Sequence, residues 1–143
     1  MKMSSNRERR FEEIRNLLDN LASELSRGIP IIVEGKKDTK ALRKLGVAGD
    51  IICAKTSGKT LLDVLREIEN HGKGEAILLM DFDNRGRELT KRIANDLEKM
   101  KIKPNLVFWK RLSGLMGRDV KDIEGLSTYI HTLKSRIGKN ISL

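Results

Sequence analysis

Two aspartates end an apolar run at Ala76-Ile77-Leu78-Leu79-Met80-Asp81-Phe82-Asp83, and a turn, Asn84-Arg85-Gly86, follows. A short apolar run bounded by turn signals reads as a strand buried on both faces of a parallel sheet. Side chains alternate along a strand, so Asp81 and Asp83 point the same way, with Cα atoms roughly 6 to 7 Å apart. Carboxylates about 5 Å apart repel by roughly 3 kcal/mol at an effective dielectric near 20. A cation, a shared proton or basic neighbours offset such a cost. In open α/β sheets the ligand crevice lies beyond the carboxyl ends of the strands, where this pair falls.

A third acid, Glu34, follows the β-branched run Ile31-Ile32-Val33. If the two strands are neighbours, all three carboxylates converge on one crevice. An oxygen-only set with no nearby His or Cys suits a hard cation, Mg²⁺ or Mn²⁺. Basic residues crowd the same strand ends: Lys36, Lys37, Lys55, Lys59, Arg85 and Arg87. A metal held by carboxylates and ringed by Lys and Arg is what phosphoryl chemistry needs: the metal activates water and the cations hold nonbridging oxygens.

These residues need strands and crossover helices to carry them. Ile51-Ile52-Cys53 reads as a strand, and Leu106-Val107-Phe108-Trp109 as a fourth, set off by Pro104. Helical spacing recurs in Ala41, Leu42 and Leu45, closed by Gly46; in Leu61, Leu62, Leu65 and Ile68, stopping at His71-Gly72; and in Leu89, Ile93, Leu97 and Met100. Strand and helix in alternation imply right-handed crossovers and a four-stranded parallel sheet flanked by helices. An N-terminal helix (Phe11, Ile14, Leu17, Leu18, Leu21, Leu25) opens with a capping box at Ser5-Asn6-Arg7-Glu8 and closes at Gly28. Residues 111–118 read as loop, and Leu126, Ile130, Leu133 and Ile137 as a last helix closed by Gly138. The expected organisation is residues 1–29 as a helix packed on the domain and residues 30–143 as the domain with its C-terminal helical extension.

The runs I-I-V-E-G-K-K-D at 31–38 and I-L-L-M-D-F-D-N-R-G at 77–86 resemble the two signature motifs of the Toprim domain. That domain is shared by topoisomerases, bacterial-type primases, OLD-family nucleases and the endonuclease that matures 5S ribosomal RNA. The resemblance covers roughly Pro30 to Lys110, and the whole chain looks like the small stand-alone Toprim proteins of archaea and bacteria. E-G-K-K-D-T-K-A-L is also similar to the opening of the 5S RNA maturation enzyme. The resemblance implies the three-layer, Rossmann-like Toprim fold. It implies Glu34 as general acid/base or metal ligand, Asp81 and Asp83 as a metal-binding pair, and Gly35 and Gly86 as turn glycines allowing close backbone approach. The pattern departs from topoisomerases in one place: Arg85 and Arg87 flank Gly86 where an acid would stand, and Glu88 comes one position later.

Thr56-Ser57-Gly58-Lys59-Thr60 looks like the end of a P-loop, but Cys53 occupies the place of its first glycine, leaving at most a helix N-terminus that grips one phosphate. Tyr129, His71, His131 and Cys53 read as packing or structural residues. Trp109 falls near the crevice edge, where partial burial is expected and stacking on a base is the alternative.

Net charge is +9 over 143 residues, and Lys99 to Leu143 carry ten basic against three acidic residues. That favours a polyanionic partner, RNA or DNA, gripped mainly at its phosphates and so in a salt-dependent way. Lys110, Arg111, Arg118 and Lys121 are the candidates there, beside Lys36, Lys37, Lys59, Arg85 and Arg87 at the crevice. One cysteine excludes an internal disulfide and a multi-cysteine zinc site. No apolar run reaches a membrane span, so a cytoplasmic location is expected. Abundant Lys, Arg and Glu without any glutamine lean toward a hot-growing source. Three functions are open: a Mg²⁺-dependent enzyme cutting or transferring phosphodiester bonds, a non-catalytic module binding structured RNA or a nucleoprotein through its basic C-terminal segment, or a nucleotide-binding P-loop switch.

Overall fold

The computed structural model describes residues 6–116 and 120–140, with side chains to residue 136. Ser5 of the expected capping box and Arg118 lie outside the described residues. The elements run α1 (Asn6–Ser26), β1 (Ile31–Val33), α2 (Lys36–Lys44), β2 (Ile51–Cys53), α3 (Leu61–Asn70), β3 (Glu75–Leu78), α4 (Asn84–Lys99), β4 (Lys103–Asn105), α5 (Val107–Met116) and α6 (Ile123–Asn140).

The four strands form one parallel sheet in the order β2-β1-β3-β4. After β2 the chain crosses to the other side of β1, so the topological switch point lies between β1 and β3. A crevice is expected there, beyond the strand ends. Register pairs Ile31 with Ile51 and with Ile77, and Ala76 with Pro104.

Alternation along the strands divides the apolar residues between two cores. Ile31, Val33, Ile77 and Leu79 meet α1, α2, α5 and α6 on one face. Ile32, Ile52, Leu78 and Met80 meet α3 and α4 on the other. The result is three layers, with the N-terminal and C-terminal helices added to the same side. No helix among the described residues is long and apolar enough to cross a membrane.

The fourth strand is not where the sequence pattern suggests. Lys103-Pro104-Asn105 pair with β3, and Val107, Phe108 and Trp109 belong to α5. An edge strand tolerates Pro104, whose missing N–H faces away from any partner. Phe108, Leu112 and Met116 recur every four residues and are buried against the sheet, while Val107 is 54% exposed. The Asn105 side chain accepts the Val107 N–H at 3.0 Å and starts the helix. The span expected as loop from residue 111 is helical to Met116. Likewise α6 does not close at Gly138 but continues to Asn140.

Candidate functional site

Glu34 leaves the end of β1 and Asp81 lies just beyond β3, so adjacent parallel strands deliver both to the switch point. The backbone N–H of Asp81 donates to Glu34 Oε1 at 3.3 Å. Lys55, just past β2, donates its backbone N–H to the Glu34 carbonyl at 2.8 Å, and its Nζ stands 3.6 Å from Glu34 Oε2. These residues wall a cavity of about 350 Å³ together with Gly35, Lys36, Lys37, Asp38, Asp122 and Glu124.

Asp81 is the most perturbed group among the described residues. Burial raises its pKa to about 7, with further upward pushes from the charges of Glu34, Asp38 and Asp122; the Ile123 backbone N–H acts in the opposite sense. Its Oδ1 is buried and has no hydrogen-bond partner among the described groups. A buried acceptor left unsatisfied is costly, so native structures rarely keep one without a ligand, ion or water to meet it.

Two further acids join Glu34 and Asp81, Asp38 from the end of the first motif and Asp122 from outside both. Asp38, 8% exposed in the first turn of α2, accepts the Gly35 N–H at 2.9 Å. Burial raises its pKa, the Gly35 bond lowers it, and the charges of Glu34 and Asp122 raise it again. Asp122 precedes α6 and accepts the Gly125 N–H at 2.6 Å. Its loop is fastened to the site because Phe82 N–H donates to the Lys121 carbonyl at 2.6 Å. The Asp38 signal was its spacing four residues after Glu34; nothing local marks Asp122, which arrives through tertiary packing of the C-terminal extension.

Asp83 stands apart from the cavity wall. It is the exposed N-cap of α4, its Oδ1 accepting the Gly86 N–H at 2.8 Å. Among the described residues no three Asp, Glu, His or Cys side chains stand close enough to enclose a metal ion. Gly86 is needed for close approach: a Cβ there would lie 2.0 Å from the Asp81 carbonyl oxygen. At Gly35 the corresponding space is open.

The expected cations divide among several places. Lys36 and Lys37 line the carboxylate cavity. Arg85 and Glu88 line a neighbouring hollow of about 520 Å³ that shares Lys55 with it. Arg87 and Lys110 line a third, between α4 and α5. Lys59, in the loop ahead of α3, is turned onto that helix, with Nζ 2.5 Å from Glu67 and 3.3 Å from the Cys53 carbonyl. Thr60 caps α3 through the Asp63 N–H. Arg111 is exposed on α5.

The residues read as structural have ordinary partners. Tyr129 accepts from Arg10 at 2.7 Å, His71 meets the Glu67 carbonyl and Asp50, and Cys53 lies against Thr39. His131 is exposed on α6. Trp109 is half-buried on α5, and its indole N–H donates to the Asp81 carbonyl at 3.3 Å.

Comparison with known proteins places this geometry. The UPF0292 protein of Methanosarcina barkeri is 32% identical over 130 residues, covering 91% of this chain and 89% of its own. The UPF0292 protein of Methanocaldococcus jannaschii is 37% identical over 126 residues, covering 87% and 95%. A solved structure, a putative protein from Aquifex aeolicus, superposes with a TM-score of 0.64 at 30% identity, covering 77% of this chain and 94% of that one. The Toprim domain family model matches residues 28–108, which hold Glu34, Asp81 and Asp83 but stop short of Asp122. With its parallel sheet, its two motifs at the switch point and these relatives, the chain belongs to the Toprim domain family.

Proposed function

We propose that this chain is a Mg²⁺-dependent enzyme that cuts or transfers phosphodiester bonds in RNA or DNA. At family level Toprim domains bind divalent metals such as Mg²⁺ and serve nucleic acids. The observation that carries the reading is the buried, unsatisfied Asp81 Oδ1 beside Glu34, in a cavity rimmed by Lys36, Lys37 and Lys55. Mg²⁺ commonly takes only one or two carboxylates and completes its shell with water and substrate phosphate. Glu34 and Asp81 suffice for that, and Asp83 serves first as a helix cap. Bound there, Mg²⁺ would offset charge on the phosphoryl oxygens and lower the pKa of a coordinated water.

The chain's own residues do the rest. Lys36, Lys37 and Lys55 hold nonbridging oxygens as point charges. The Asp81 N–H fixes one Glu34 oxygen, and the other, Oε2, stands 3.6 Å from Lys55 at the cavity, placed to serve as metal ligand or as general acid/base at the reacting oxygen. Labelled RNA and DNA incubated with Mg²⁺ or Mn²⁺ beside a Glu34→Gln control test the proposal. Cleavage by the wild type alone is expected; equal cleavage by both forms, or none on any substrate, sinks it.

A second reading is favoured by the charge of the C-terminal third, ten basic against three acidic residues from Lys99 to Leu143. In it the domain binds structured RNA or a nucleoprotein without catalysis, through its basic C-terminal segment. Binding in EDTA that survives Asp81→Asn and Asp83→Asn together would select it.

A further inference from the structure

We propose that the groove between α4 and α5 seats a base and its flanking phosphates in a single-stranded stretch of nucleic acid, next to the phosphate presented to the Glu34–Asp81 cavity. The proposal rests on the phosphodiester reading above and names how the substrate is held. The groove encloses about 540 Å³, within the range of small-ligand sites. Its floor is apolar, with Ala94 from α4 and Leu106 ahead of α5. The chain's single tryptophan, Trp109, forms part of its wall.

Three features give the groove its direction and ligand. Trp109 donates its indole N–H to the Asp81 backbone carbonyl, so the ring is oriented and the groove wall touches the chain segment that carries the carboxylate site, although the two cavities share no lining residue. Arg87 and Lys91, four residues apart on α4, form one rim, and Lys110 on α5 the other. All three are exposed and make no ion pair with another described residue. The single acid, Glu98, sits more than two helical turns along α4 from Arg87. A flat aromatic wall between two basic rims complements a base flanked by phosphates, and aromatic stacking accepts any base. A base paired inside a duplex keeps both faces stacked, so the ligand is single-stranded.

Because Trp109 is the sole tryptophan, its emission reports occupancy directly. The full chain, in EDTA and low salt, is titrated with mixed-sequence hexamers of DNA and of RNA, with a blunt duplex of the same sequence, and with an abasic hexamer. Occupancy is read by indole emission and affinity by calorimetry, which also serves the variant that lacks the indole. Both single strands should quench the indole, the better of the two showing which sugar is preferred. The abasic strand should bind more weakly without quenching, and the duplex should leave the emission unchanged. Trp109→Leu should weaken hexamer binding roughly tenfold or more while leaving abasic binding alone. If that variant does not fold, Lys91→Glu with Lys110→Glu replaces it and should weaken both ligands. Hexamer binding with unchanged emission, equal affinity for the abasic strand, or no binding at millimolar concentration overturns the groove. Absence of metal makes the two readings separable: a failed Mg²⁺ response or Glu34→Gln control counts against the carboxylate site and leaves this titration untouched.

Discussion

The backbone N–H of Asp81 and the side chain of Glu34 meet at 3.3 Å, 47 positions apart in sequence. That bond spans the two strands on either side of the switch point and aligns their ends. It also leaves the Asp81 carboxylate pointing into a region already negative from Glu34, Asp38 and Asp122. A site so arranged holds a proton or a cation, and the two compete for the same oxygens.

That competition fixes a pH dependence. The folded pKa of Asp81 is raised to about 7 from an ordinary 3.8. Folding therefore takes up a proton between those values, and the stability this contributes is complete below 3.8 and gone above about 7. Asp81→Asn cannot ionise, so in EDTA its melting temperature should gain on the wild type as pH rises from 5.5 to 8. Mg²⁺ should reverse the order at pH 8 by stabilising the wild type alone. Melting curves at both pH values, with and without Mg²⁺, check this; a pH-independent difference would contradict it.

Asp122 contributes to the same field from outside the span matched by the family model. Asp122→Asn keeps a side chain able to cap α6 while removing one charge near Asp81. The Asp81 midpoint, followed by carboxyl NMR, should move down toward the ordinary range, and Mg²⁺ affinity should fall, because the charge that favours the proton attracts a dication more strongly still. An unmoved midpoint would show that Asp122 is not felt at the site.

Gly86 offers a test of sign. Replacing a helical glycine by alanine normally stabilises by roughly 1 kcal/mol. Here the added Cβ would lie 2.0 Å from the Asp81 carbonyl oxygen and 2.6 Å from its carbon, both backbone atoms that cannot step aside. Gly86→Ala should thus cost about 2 kcal/mol or more and blunt the Mg²⁺ shift. Gly114→Ala in α5, where nothing lies within 4 Å, should stabilise instead. Denaturant midpoints of the two variants should move in opposite directions.

The contrast between these glycines also shows where sequence reading succeeds. Ile31-Ile32-Val33 and Ala76 to Met80 are apolar throughout because both faces of their strands are covered, and that signal survives without a structure. It therefore located Glu34 and Asp81. Leu106 to Trp109 carries a similar signal for another reason: Phe108 begins a four-residue repeat with Leu112 and Met116, and a short apolar run does not separate strand from helix. Asp83 sits two places after Asp81, but strand alternation ends before it, and capping α4 turns it toward Gly86. Asp122 has no neighbouring motif; only the Phe82–Lys121 backbone bond brings its loop in.

Lys55 and Lys59 flank the same loop and separate two readings of it. Lys55 Nζ is exposed at the mouth, 3.6 Å from Glu34, and lines both the carboxylate cavity and the adjoining hollow with Arg85 and Arg92. Lys59 is held by Glu67 at 2.5 Å and by the Cys53 carbonyl. A lysine that contacts phosphate displaces a counterion, so its removal lowers the slope of log affinity against log salt by about 1. Lys55→Ala should do so for single-stranded RNA or DNA, and Lys59→Ala should leave the slope alone while lowering stability slightly. If the P-loop-like turn gripped phosphate instead, Lys59→Ala would flatten the slope and Lys55→Ala would not. Fluorescence anisotropy across 50 to 200 mM salt, the range over which such slopes develop, decides between them.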